Sequence, residues 1–391
     1  MWKNIQDLDN QLATYKAVYT NSIMACLKSG DLSKRMFLAT EFNMQTLYAF
    51  IDLYETKYPE RKQSFLKFFR GTNNMFFEHM AKIKCMSYML DEKVIAKMTE
   101  WMNKRNGIYI QFFPHANPAP HGASAYFGRD FWGRPRIMYY DIERKGQLNP
   151  PYKTFFHEFG HALDFLTVRG RGFLSDCFQH TMEVEDKQLC MDQLAYPIGM
   201  QKIKKMETKT IHEWAELDVQ NAIIQTCMDL LQEKISVSSC KRYLSPAMTP
   251  LKKYHMINFV THHLFLKPDG CRRLASLSGK PYFKPISDLY HDVAEVMNKT
   301  IFASHKNIIV LPRDLFGGIT NNQLGGGHGS EYWFKGNRRI SQVSREAFAG
   351  YFEYKTTITD PVFQDCLINP YECMPNTAAA LDALFNVILK G

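Results

Sequence analysis

Apolar residues recur at two different spacings along this chain, and the spacing changes several times. From residue 1 to about 105 it is helical, as in Met36, Phe37, Ala39, Phe42, Leu47, Phe50, Ile51 and Leu53. Breakers at Ser29-Gly30-Asp31, Tyr58-Pro59 and Gly71-Thr72-Asn73 divide that region into several helices. Residues 106–150 turn to short apolar runs parted by turn residues. Segments 107–113, 125–127 and 136–140 are predicted strands, the last two separated by Gly133-Arg134-Pro135. Pro150-Pro151 then opens a helix over about 152–168, which Gly170 and Gly172 close.

Residues 173 to about 305 return to helical spacing, with the strongest helices near 209–233, 250–266 and 285–299. Beyond 306 lie a short apolar run (308–311), a glycine-rich loop (317–329), a helix near 343–355 and a last helix near 376–389. The expected fold is α+β and mostly helical, in four stretches. These are an N-terminal helical domain (1–105), a strand region with one buried helix (106–172), a helical insertion (173–305) and a C-terminal part (306–391).

Composition narrows this picture. A chain of 391 residues is too long for one ordinary core. With 45% hydrophobic and 14% aromatic residues it is not a disordered chain. The net charge of +9 is spread along the sequence, and its densest clusters, Lys202-Ile203-Lys204-Lys205 and Arg338-Arg339, are short. A solvated basic surface is expected, with no specific nucleic-acid partner. Nine cysteines, an odd count with no Cys-x-x-Cys, fit free thiols in a reducing compartment. No run of 18 apolar residues predicts a membrane span, and the N-terminus shows no signal-peptide core. A cytoplasmic location is expected.

The chemistry begins at His157-Glu158-Phe159-Gly160-His161. Successive residues of a helix advance about 100°, so His157 and His161 project from one face, one turn apart. That spacing lets two imidazoles meet one zinc ion at about 2.0–2.1 Å. Glu158, offset by one residue, can reach a water on the metal and act as general base. Asp164 shares the histidine face and suits an acceptor for a histidine N–H. Phe155, Phe156, Phe159, Ala162, Leu163 and Leu166 make the helix apolar on most sides, so its polar residues need partners. Gly160 lowers helix stability by about 1 kcal/mol relative to Ala, which a close approach of another segment would explain.

A hydrolytic zinc site needs a third protein ligand and an open position. Glu346 is the first candidate, on a helix with small residues at 347, 349 and 350. Glu353, seven residues on and on the same face, is the alternative. The histidines at 115, 121, 262 and 263 are read as ordinary polar or core residues. Tyr332 and His328, beside the glycine-rich loop, are the candidate donors to an oxyanion. The strand containing Arg136, Met138 and Tyr140 is the candidate edge for pairing with an extended peptide. The glycine-rich loop lacks the Gly-Lys-Ser/Thr ending of a phosphate cradle, so nucleotide binding is not expected there.

His-Glu-Phe-Gly-His-Ala-Leu-Asp followed by a distant Glu-Ala-Phe-Ala resembles zincin metallopeptidases whose third ligand is a glutamate. One such branch is the anthrax lethal factor-like catalytic domain. The more specific likeness is to the metallopeptidase-like domain of phage minor head proteins. It rests on Asp314-Leu315-Phe316-Gly317-Gly318-Ile319-Thr320, Gly327-His328, Tyr332-Trp333 and Glu346-Ala347-Phe348-Ala349, with Met374-Pro375 before a closing helix. It covers roughly 120–172 and 306–391. The resemblance implies a zincin-like domain holding Zn2+ through His157, His161 and Glu346, with Glu158 as base. It implies a peptidase encoded by a phage or mobile element, acting on a virion or host protein and cytoplasmic or virion-associated. The rival expectations are a structural head-associated protein on a zincin-like scaffold and a lethal factor-like toxin.

Overall fold

The computed structural model describes residues 109–112, 125–129, 135–139, 153–168, 172–192, 195–235, 249–265, 280, 283–301, 313–325, 328–334, 339–357 and 372–390. The predicted N-terminal helical domain, the apolar run 308–311, His115, His121 and Tyr140 lie outside them. The described residues are mostly helical with small sheets, an α+β arrangement. No described helix is long and apolar enough to cross a membrane.

The chain divides into two compact units. One comprises Met1–Phe173, Ala349–Ile368 and Asn386–Gly391; the other comprises Leu174–Phe348 and Asn369–Phe385. The first contains a three-stranded sheet of β1 (Tyr109–Phe112), β2 (Ala125–Arg129) and β3 (Pro135–Tyr139), in the order β1-β3-β2. β3 runs parallel to β1 and antiparallel to β2, with Tyr109 opposite Arg136 and Phe127 opposite Ile137. Helix α1 (Lys153–Thr167) packs on β2 and β3. Ile137, Met138, Phe156, Phe159, Ala162, Leu163 and Phe165 are buried there. Phe127, Phe165 and Phe173 form an aromatic cluster with centroids 5.4–6.2 Å apart, and the Arg129 guanidinium lies 4.4 Å from the Phe165 ring.

The second unit begins with a helical turn (Leu174–Asp176) and a long hairpin, β4 (Gln179–Met191) with β5 (Ile198–Thr210). This hairpin corrects the expectation of a mostly helical stretch from 173. Its strands alternate charged and apolar residues, and Lys202, Lys204 and Lys205 sit within 3.1–3.2 Å of Glu185, Glu183 and Asp186 across the ribbon. Cross-strand pairing accommodates the basic cluster that reads as solvated surface in the sequence. β5 passes directly into α2 (Ile211–Leu231) through a capping box. The Glu213 N–H donates to Thr210 Oγ1, and the Thr210 N–H donates to Glu213 Oε2 at 2.8 Å. Helices α3 (Pro250–Leu264), α4 (Lys284–Ile301) and α5 (Arg313–Thr320) all contact α2 or one another.

Three further helices complete the described chain: α6 (Ser330–Phe334), α7 (Arg339–Thr357) and α8 (Pro375–Lys390). Trp214 of α2 is fully buried against Val184 and Ala380, and its indole N–H donates to the His180 carbonyl. Asp218 of α2 accepts from the Thr377 N–H, the Thr377 hydroxyl and the Asn376 amide at 2.7 Å each, satisfying the first turn of α8. The predicted glycine-rich loop is also corrected. Its first part, Gly317-Gly318, lies inside α5. A Cβ on Gly318 would stand 2.6 Å from Val343 and 2.9 Å from Trp333, so glycine is required by packing rather than by a loop.

Candidate metal centre

Helix α1 supplies His157, Glu158 and His161. The two imidazole rings lie edge to face with centroids 5.0 Å apart, as their four-residue spacing requires. His161 is buried and also meets the edge of Phe173. Gly160 lies between them in sequence, and a Cβ there would stand 3.0 Å from Ala349 Cα and 3.1 Å from Phe352 Cβ. The close approach expected of Gly160 is therefore made by α7, with Phe159 packed against Phe352 at 6.1 Å.

That helix carries two buried carboxylates on one face, Glu346 and Glu353. The ligand atoms of His157, His161 and Glu346 lie within 4.8 Å of one another. Ligand atoms at about 2.0–2.2 Å from a zinc ion stand roughly 3.4 Å apart in a tetrahedron. The 4.8 Å bound encloses that spacing, and two imidazoles with one carboxylate are a donor set used by zinc and other divalent transition metals. The triad can hold a metal ion.

Glu353 takes a different position. His157 Nδ1 and Glu353 Oε2 are 3.2 Å apart. Asp164, expected near a histidine N–H, is fully buried on α1. Glu158 is buried, and its Oε2 accepts a 2.6 Å hydrogen bond from the Phe127 N–H of β2. This partner was not legible in the sequence, because a backbone N–H leaves no residue-type signal.

Tyr332 and His328 meet at Glu346. The Tyr332 hydroxyl donates to Glu346 Oε1, and His328 Nε2 lies 3.8 Å from Glu346 Oε2. Their rings stack with centroids 4.0 Å apart. The turn after α5 sets this up locally. Asn321, Asn322 and Gly325 adopt left-handed backbone angles, with φ of 54°, 60° and 74°. Thr320 Oγ1 accepts the Leu324 N–H, and the Asn322 side-chain amide donates to the His328 carbonyl at 2.8 Å. Arg345, next to Glu346, is held by both Asp176 carboxylate oxygens.

The proposed peptide-pairing strand is corrected by the sheet order. β3, which carries Arg136 and Met138, is central and paired on both sides, so its backbone groups are engaged in the ladder. Met138 is moreover buried. Among the described residues, β2 is the edge strand beside Glu158. His263 stacks on Phe259 at 3.7 Å with Nδ1 against the Phe259 carbonyl, a local contact within α3.

No protein-family model, curated protein or solved structure matches the chain.

Proposed function

We propose that this protein is a zinc-dependent metalloendopeptidase. The observation that carries this reading is the convergence of His157, His161 and Glu346, with Glu158 beside the histidines on the same helix. His157, His161 and Glu346 would hold a zinc ion, which would supply Lewis acidity and the activation of water at neutral pH. Glu158 accepts a proton from the attacking water and passes it to the leaving amine. The Phe127 N–H orients the carboxylate for both transfers. Tyr332 and His328 lie against the third ligand and are the donors for the oxyanion that develops on the scissile carbonyl.

The substrate is an extended peptide segment. The strand that suits main-chain pairing is β2, because its backbone already contacts the base. The likeness of 314–349 to phage minor head proteins supports a phage-encoded enzyme acting on a virion or host protein. Incubating metal-replete protein with a peptide library and reading cleavage by mass spectrometry tests this. Cleavage abolished by a chelator and restored by zinc is expected. A metal-replete protein that cuts no peptide would overturn the peptidase reading in favour of a zincin-like scaffold.

A further inference from the structure

Resting on the metal-site reading above, we infer that Glu353 is a positioning residue. It accepts the Nδ1 proton of His157 and thereby presents the Nε2 lone pair of that ring to the metal. The contact is 3.2 Å, and the Glu353 side chain is only 4% exposed. A neutral imidazole has one N–H and one lone pair, so the partner of one nitrogen sets the role of the other. A carboxylate at Nδ1 fixes the proton there and raises the basicity of Nε2.

The sequence places Glu353 seven residues after Glu346, two turns along one helix. One carboxylate joins the ligand triad while the other braces a ligand from behind. The brace also depends on how closely α1 and the second half of α7 approach. Gly160 lies against Ala349 and Phe352, so the helices meet one turn before Glu353 and hold its carboxylate at the ring. Glu353 is thereby distinguished from a third ligand, the alternative role its spacing allows.

The test is metal affinity by chelator competition, with cobalt substitution to read the coordination sphere. Wild-type protein, Glu353→Ala, Glu353→Gln and Glu353→Asp are compared. Glu353→Ala is expected to bind one ion per chain with about 10–100-fold weaker affinity. Its cobalt d–d absorption should keep the wild-type intensity class. Glu353→Gln, isosteric and still able to accept a hydrogen bond, and Glu353→Asp should fall between the two. Unchanged affinity in both Glu353→Ala and Glu353→Gln would overturn the inference. So would loss of stoichiometric binding with an altered cobalt spectrum, which would make Glu353 a ligand. A wild-type protein that binds no metal would overturn the underlying site reading instead.

Discussion

The backbone N–H of Phe127 donates a 2.6 Å hydrogen bond to Glu158 Oε2 and ties the candidate base of α1 to β2, an edge strand among the described residues. A carboxylate held this way has one oxygen anchored and one available. Glu158→Gln keeps an acceptor for that N–H through its amide oxygen but cannot carry the proton. It should bind metal as wild type does, unfold at the wild-type temperature and lose about 10²–10⁴-fold in kcat. Peptide turnover and metal content measured on the same preparation check this. Full activity would remove Glu158 from the chemistry.

Tyr332 donates to the Glu346 carboxylate from a ring stacked on His328. Tyr332→Phe removes the donor and keeps the stack. If the hydroxyl serves the oxyanion, kcat falls about 10²–10³-fold with little change in KM. If it serves only to hold Glu346, metal affinity falls instead. Steady-state kinetics with a chelator titration separate these results.

Gly160→Ala should destabilise the protein despite a gain of about 1 kcal/mol in helix propensity. The added methyl would meet Ala349 Cα at 3.0 Å, a backbone atom that cannot rotate away. Overpacking of this kind costs typically about 1–3 kcal/mol. A lowered unfolding midpoint is expected, together with weaker metal binding as α7 is pushed off α1. A raised midpoint would show that the helices separate freely.

Asp218 gives a pH dependence whose sign is fixed. Burial pushes its carboxyl from 3.8 to about 6, against hydrogen bonds from Thr377 and Asn376 that favour the charged form. A raised acid pKa means that the folded protein binds the proton more tightly than the unfolded chain. The resulting stability is fully present below pH 3.8 and is lost as pH rises through about 6. The wild-type minus Asp218→Asn difference in unfolding free energy should therefore fall across that window, by on the order of 3 kcal/mol. Denaturant titrations at several pH values check it, and a flat difference would contradict the assignment.

What was legible in the sequence depended on the range of the interaction. The i, i+4 histidines and the approximate bounds of α1, α2, α3, α7 and α8 are local patterns, and helical periodicity exposes them. Gly160 marks a point of close approach because a glycine inside a buried helix is costly, but nothing local identifies Ala349 and Phe352 as the neighbours. The β4–β5 hairpin escapes because its period-two alternation, as in Met182-Glu183-Val184-Glu185, is interrupted by adjacent charges such as Asp186-Lys187 and Lys204-Lys205, whose partners lie on the other strand. β3 is central and not the expected edge for a related reason. Strand order is a property of pairing between distant segments, and residues 136–139 do not encode which sides are covered. Glu353 was visible as a face-mate of Glu346, yet only the position of His157 tells a bracing carboxylate from a ligand.

The central claim is that His157, His161 and Glu346 form one metal site. Metal content of the purified full chain, measured by plasma mass spectrometry for wild type, His157→Ala and Glu346→Ala, tests it most directly. The account predicts about one zinc per wild-type chain and a large loss in both variants. A folded wild-type protein that takes up no zinc, or a Glu346→Ala protein that retains its full complement, would contradict it.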